Sequence, residues 1–233
     1  MAQKKPPQYT ATQALAEWQK NHPDEPIEDV VEVGLQFNHP PITVMSDKLA
    51  QLAACKKLMI STNNIQEIKF LPPRIEVLSI GRNLLTKLTG IEKAAATLTQ
   101  LWMSYNSVKD LRPIAACKRL TVLYLAHNKV EKQTELDHIQ QLPDLSDLLL
   151  TGNPVVETIS KNRNYRAEMC RRCKKLQILD GAPTTDADRG DTSGPGAPGD
   201  TSSQKTTTGN TTTGNQSGAQ SSGNGSRAVS PRA

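Results

Sequence analysis

The 233-residue sequence predicts an α/β solenoid with a parallel β-sheet along one face, followed by a low-complexity tail. Three observations carry that expectation. An apolar pattern ending in asparagine recurs six times, the asparagines are spaced by 20–25 residues, and the composition changes abruptly at residue 186.

The first nine residues, Met1 to Tyr9, are expected to be a flexible N-terminus, with no apolar run of the kind a targeting segment needs. The stretch from Thr10 to Trp18 then reads as a short helix. Thr10 or Thr12 is its N-cap, and Ala14, Leu15 and Trp18 fall at helical spacing to cover the first repeat.

The pattern L-x-x-L-x-L-x-x-N opens with a degenerate copy at Val30, Val33, Leu35 and Asn38. Copies follow at Cys55, Leu58, Ile60, Asn63; at Ile75, Leu78, Ile80, Asn83; and at Leu98, Leu101, Met103, Asn106. Two more stand at Leu120, Leu123, Leu125, Asn128 and at Leu145, Leu148, Leu150, Asn153. This length and pattern define a leucine-rich repeat. Within each copy the alternating apolar residues face inward from a short strand. The asparagine, with both donor and acceptor atoms, ties the turn that leaves the sheet, so six of them are expected to stack as a ladder. Further apolar pairs, such as Ile65 and Ile68 or Val108 and Leu111, fill the core under an outer helix or 3₁₀ segment. One repeat cannot bury its own face, and stacking supplies the stability.

A basic helix from Asn164 to Lys174, then Leu176 to Gly181 as a truncated repeat without its asparagine, reads as the closing cap. The folded domain is therefore expected to span 10–185. Residues 186–233 hold nine of the 14 glycines, one large aliphatic residue (Val229) and the duplicated run Thr206 to Asn210 and Thr211 to Asn215. Such a segment has too little apolar surface to offset chain entropy and is expected to be a disordered tail. Its four acidic residues balance its four basic ones, so the net charge of +5 belongs wholly to residues 1–185. That surplus falls short of a nucleic-acid signature, and no apolar run approaches the length of a membrane span.

Catalytic signatures are absent: there is no G-x-x-x-x-G-K-[ST], G-x-S-x-G or H-E-x-x-H, and His22, His39, His127 and His138 are scattered. Cys55 and Cys117 precede apolar runs and read as packing residues. Cys170 and Cys173 form a single C-x-x-C with no second pair, so no metal and no cofactor is expected.

Binding is where the strands become informative. The side chain between the two inward residues of each strand faces solvent, and that series is Gly34, Met59, Ser79, Trp102, Tyr124, Leu149. The position two residues earlier adds Val77 and Val122. Met59, Val77, Trp102, Val122, Tyr124 and Leu149 thus form one apolar patch on the concave sheet face, a place with no stability reason to be apolar, which marks it as a partner site. Arg171, Arg172, Lys174 and Lys175 in the cap are candidates for contact with an acidic surface.

Specific residues go beyond a generic repeat. Ser61-Thr62-Asn63-Asn64-Ile65, Gly81-Arg82-Asn83, Leu101-Trp102-Met103-Ser104-Tyr105-Asn106, Gly152-Asn153-Pro154 and Leu176 to Pro183 closely resemble the leucine-rich-repeat light chains of axonemal outer-arm dynein. The likeness takes in the Trp18 helix and Pro40-Pro41-Ile42, and so covers about residues 10–185. It implies a non-catalytic subunit of the ciliary or flagellar axoneme, in the cytoplasm and on the cytoskeleton. Its partner would be a dynein heavy chain near the microtubule-binding region, bound through Met59, Trp102, Tyr124 and Leu149, with tubulin as a second candidate contact and regulation of the motor as the role. The long neutral tail departs from the family pattern. The alternative is a leucine-rich-repeat regulatory subunit of a protein phosphatase, and a weaker one is a tubulin-folding or RNA-associated adaptor. Trp102 and Tyr124 alone are too few aromatics for an RNA platform.

Overall fold

The structure, a computed structural model, describes residues 8–190. Residues 1–7 of the expected flexible N-terminus and residues 191–233 of the expected tail lie outside the described residues.

One sheet runs in chain order through β1 (Glu32–Gly34), β2 (Lys57–Met59), β3 (Val77–Ser79), β4 (Gln100–Trp102), β5 (Val122–Tyr124), β6 (Asp147–Leu149), β7 (Ile178–Leu179) and β8 (Ala182–Pro183). The first seven strands are parallel, and β8 folds back antiparallel on β7. A parallel neighbour requires a crossover. Repeats this short make it with single 3₁₀ turns at Asp47–Gln51, Ile91–Ala94, Arg112–Ala116 and Gln133–Glu135, the last continued by helix α2 (Leu136–Gln140). The inward strand residues Val33, Leu58, Leu78, Leu101, Leu123 and Leu148 are fully buried in a single core, and Cys55 and Cys117 pack there as small apolar residues.

Both ends are closed. Helix α1 (Ala11–Asn21) begins at Thr10, whose hydroxyl and the Gln13 side chain form a reciprocal capping box. Ala11, Ala14 and Leu15 of α1 are buried against the first repeat, while Trp18 stacks on His22 with centroids 4.0 Å apart. After the last full repeat come α3 (Pro154–Asn162) and α4 (Tyr165–Arg172), the latter capped by the Asn164 side chain.

The asparagine ladder has five rungs. Asn63, Asn83, Asn106, Asn128 and Asn153 are buried. Each Nδ2 donates to a carbonyl of its own strand and to one of the preceding strand; for Asn128 these are Leu125 O at 2.9 Å and Met103 O at 3.1 Å. Each Oδ1 accepts an N–H of the preceding turn, Val108 N in the case of Asn128. Asn38, expected as a sixth rung, is not one. It has no preceding repeat to bind, so its Nδ2 donates locally to Pro40 O at 2.9 Å and it remains half-buried. At the other end Asp180, directly after the two-residue β7, closes the edge. Leu125 N reaches the carbonyl of Leu149. Its equivalent Leu150 N instead meets Asp180 Oδ1 at 2.7 Å, as Thr151 N does at 2.9 Å.

The residue before each rung takes the left-handed region: Thr62, Arg82, Tyr105 and His127 at φ of 57, 52, 59 and 54°, and Gly152 at 74°. At Gly152 a Cβ would lie 2.4 Å from His127 Nδ1, so the imidazole occupies the space a side chain would need. Gly152→Ala is expected to cost the roughly 1–2 kcal/mol of a left-handed L-residue plus the displacement of His127. In a His127→Ala background only the first cost remains. Urea unfolding of the four-member cycle measures this, and equal penalties in both backgrounds would disprove the clash.

Two boundaries differ from the sequence expectation. Tyr9 is ordered, its carbonyl accepting Thr43 N at 2.8 Å and its hydroxyl donating to Glu17 at 2.7 Å. The folded body also runs past Thr185, through helix α5 (Asp186–Arg189). Arg166 donates to both oxygens of Asp188 and to Pro183 O, and Arg189 donates to Leu176 O at 2.6 Å. Composition placed these residues in the tail because they lack apolar side chains. Charge-assisted hydrogen bonds hold them instead.

Candidate functional site

Sheet register brings the predicted residues together. One row crosses the strands as Gly34, Met59, Ser79, Trp102, Tyr124 and Leu149, and the row beside it as Glu32, Lys57, Val77, Gln100, Val122 and Asp147. With strands about 4.8 Å apart, Trp102, Val122, Tyr124 and Leu149 adjoin directly, and Val77 sits beside Ser79 on the neighbouring strand. Met59 is set apart from Trp102 by the hydroxyl of Ser79, which is bonded to Ser61 Oγ at 2.8 Å. All six apolar residues are half-buried, with part of each side chain facing solvent.

The centre of the patch is built rigidly. The rings of Trp102 and Tyr124 stack with centroids 6.1 Å apart and planes 19° apart, an arrangement worth about 0.5–1.5 kcal/mol beyond burial. Tyr124 OH donates to Asp147 Oδ2 at 2.8 Å, which fixes the ring. Burial foremost, then the Asp147 carboxylate, raises the Tyr124 pKa above the phenol value, so the donor stays protonated. Trp102 Nε1 and, two residues past β4, Ser104 Oγ are buried without a hydrogen-bond partner among the described residues, as is the Tyr165 hydroxyl in α4. Each such group costs about 1–3 kcal/mol.

Ile178 extends the patch and was missed in the sequence. It pairs in register with Asp147 and is 37% exposed. Aligning Leu176 and Leu179 with Leu145 and Leu148 places it in the second row, so the repeat period itself carried the signal.

The basic cap does not form a free cationic surface. Arg171 and Arg172 both bind Glu168, at 2.9 and 2.7 Å, and Arg172 also reaches Asp137 at 2.5 Å. Lys175 pairs with Asp144 at 2.6 Å. The Arg171 hydrogen bond first, with that of Arg172, holds the Glu168 carboxyl down at about 2, so these charges compensate one another at neutral pH. Of the four residues, Lys174 alone lacks a carboxylate partner among the described residues.

The thiols are poorly suited to chemistry. Burial pushes Cys55, Cys117 and Cys173 up to about 11 and raises Cys170, which leaves little thiolate near neutral pH. Among the described residues no three His, Cys, Asp or Glu side chains converge as a metal site. What the site can do is bind a partner through a pre-ordered apolar and aromatic surface.

Comparison with known proteins agrees with this architecture. A family model for leucine-rich repeats (two copies) matches residues 96–138. Dynein axonemal light chain 1 of Chlamydomonas reinhardtii is 40% identical over 149 residues, 62% of this chain and 75% of that protein. The Homo sapiens protein of the same name is 38% identical over 181 residues, 77% of this chain and 95% of that one. Among solved structures, an internalin from Listeria monocytogenes overlays 67% of this chain and 49% of its own with a TM-score of 0.47 at 19% identity.

Proposed function

We propose, from the premise that this chain belongs to the dynein axonemal light chain 1 family, that it is a non-catalytic subunit of the axonemal outer dynein arm that binds a dynein heavy chain through the sheet face. Its place of work is the axoneme of a cilium or flagellum, and its role is to regulate motility from a site near the heavy chain's microtubule-binding region. The observation that carries this reading is the in-register apolar patch centred on Trp102 and Tyr124. The relatives favour it over a phosphatase regulatory subunit.

The energetics set limits on the contact. Because the six side chains are already largely buried, docking gains at most about a third of the roughly 1.5–3 kcal/mol that full burial of each would bring. Association costs about 4–15 kcal/mol, so the patch needs its charged border. Lys57 with Glu32 at 2.9 Å, Lys56 with Glu76 at 2.9 Å, and Asp147 stand there. Such rim charges steer encounter and orient the partner more than they add affinity. Trp102 and Tyr124 need little reordering on binding, since the stack and the Asp147 bond already hold them.

A pull-down from isolated axonemes with the full chain as bait tests the proposal. Dynein heavy chain is expected as the main captured protein, with tubulin recovered only through it or beside it. Recovery of a phosphatase catalytic subunit in place of the heavy chain would overturn the reading.

A further inference from the structure

Cations without a carboxylate partner among the described residues also stand outside the cap. On the turn edge of the third to fifth repeats, Lys109 pairs with Glu131 at 3.2 Å and Arg112 with Asp110 at 2.5 Å, while Glu135 accepts Leu111 N. Arg82, Lys87, Lys129 and Lys132 on the same edge are exposed and have no carboxylate partner among the described residues. Two grooves of about 560 and 680 Å³ run past Lys87, Lys129 and Lys132. They share Lys109, Asp110, Arg112 and Lys129, so they form one continuous channel from Thr86 to Glu135.

A second aromatic feature lies two residues before Ser107 and Lys129 of the channel lining, its members outside that lining. The Arg82 guanidinium lies 4.3 Å over the Tyr105 ring, and Tyr105 stacks on His127 at 4.4 Å and 18°. His127 in turn covers Gly152. The stack spans three repeats, and Tyr105 is 45% exposed. Its three members all hold positive φ, a conformation glycine adopts without the roughly 1–2 kcal/mol cost to other residues. The cation–π contact holds Arg82 in place, so a ligand loses little side-chain entropy by engaging it.

We propose that this turn edge is a second docking surface, for an acidic polypeptide segment that lies along the Arg82–Tyr105–His127 stack and places carboxylates on Lys87, Lys129 and Lys132. The acids in the channel decide between polyanions. Asp110, Glu131 and Glu135 interrupt the cations, which repels a nucleic-acid backbone with its unbroken row of phosphates. A peptide can set its carboxylates at intervals that avoid them. Both faces of the Tyr105 ring are already covered, so no aromatic platform is left for a base. The surface shares no residue with the sheet patch, so the inference goes beyond the heavy-chain reading and stands or fails separately.

The test is fluorescence anisotropy of the full chain with a labelled Glu/Gly peptide, a Gln/Gly peptide of equal length, and a single-stranded RNA oligonucleotide. Saturable, salt-sensitive binding to the Glu peptide alone is expected. The variant Lys87→Glu/Lys129→Glu/Lys132→Glu should weaken it at least about tenfold, since like-charge juxtaposition costs several kcal/mol. Lys174→Glu should change it less than about twofold, and Tyr105→Ala/His127→Ala should weaken it without altering the salt slope. The substituted Lys, Tyr105 and His127 residues are exposed, and circular dichroism checks that each variant folds. Absence of saturable binding, equal binding of the Gln peptide, tighter binding of RNA, or an equal loss in Lys174→Glu each overturns the proposal. So does loss of the peptide in Trp102→Ala/Tyr124→Ala, which would place it on the sheet.

Discussion

Replacing Trp102 and Tyr124 together by alanine is expected to abolish heavy-chain capture while the chain stays folded. Buried aromatic anchors contribute about 2 kcal/mol or more each when truncated. Two of them lost together should weaken binding by about a hundredfold to a thousandfold, below what survives washing. In the free chain both rings are half-exposed on the outer side of the sheet, while Leu101 and Leu123 between them and the core are fully buried. The repeat stack is therefore kept, and melting should move by only a few degrees. Leu84→Ala is the matched control. Leu84 is apolar and 50% exposed but lies on the turn edge, away from the sheet, so its removal should leave capture unchanged. Retained capture by a folded double variant would remove the sheet face from the interaction.

The largest effect on stability is expected inside the ladder. Asn128→Ala leaves Val108 N–H buried with no acceptor and takes one hydrogen bond each from Met103 O and Leu125 O. Both carbonyls keep a second donor, from Asn106 and Asn153 respectively. The orphaned N–H costs about 1–3 kcal/mol and each of the two lost bonds about 0.5–1.5, about 4 kcal/mol in all. For a domain of this size that is a fall in melting temperature on the order of 8–16 °C. Asn38→Ala should cost under about 1 kcal/mol, because Asn38 holds only its own turn. Thermal unfolding of the two variants side by side measures the contrast, and similar losses would mean that the rungs do not act by bridging repeats.

Most of the fold was legible because a leucine-rich repeat encodes its long-range contacts locally. The interval between Asn106 and Asn128 sets which strand lies next to which, and the period of two in Leu101, Trp102 and Met103 sets which side chains face out. That is why the patch could be assembled from the sequence, and why Ile178, one period further on, was within reach. Asn38 failed as a rung for a related reason: its pattern is that of a repeat, but a terminal copy has no earlier neighbour to bind.

Charge was not legible in the same way. Arg171, Arg172 and Lys175 read in the sequence as a free basic cap, but Glu168, Asp137 and Asp144 stand against them, the last two more than 30 residues away in the chain. The same holds for α5, which polar composition assigned to the tail and which Arg166 ties to the body. The stack of Arg82, Tyr105 and His127 likewise joins single variable positions from three repeats. Apolar periodicity is a property of consecutive residues, so strand order, core and sheet face were decided by the sequence alone. Which cation meets which carboxylate depends on distances between side chains that no repeat period encodes. Tertiary structure therefore decided which cations of the described residues are left without a carboxylate.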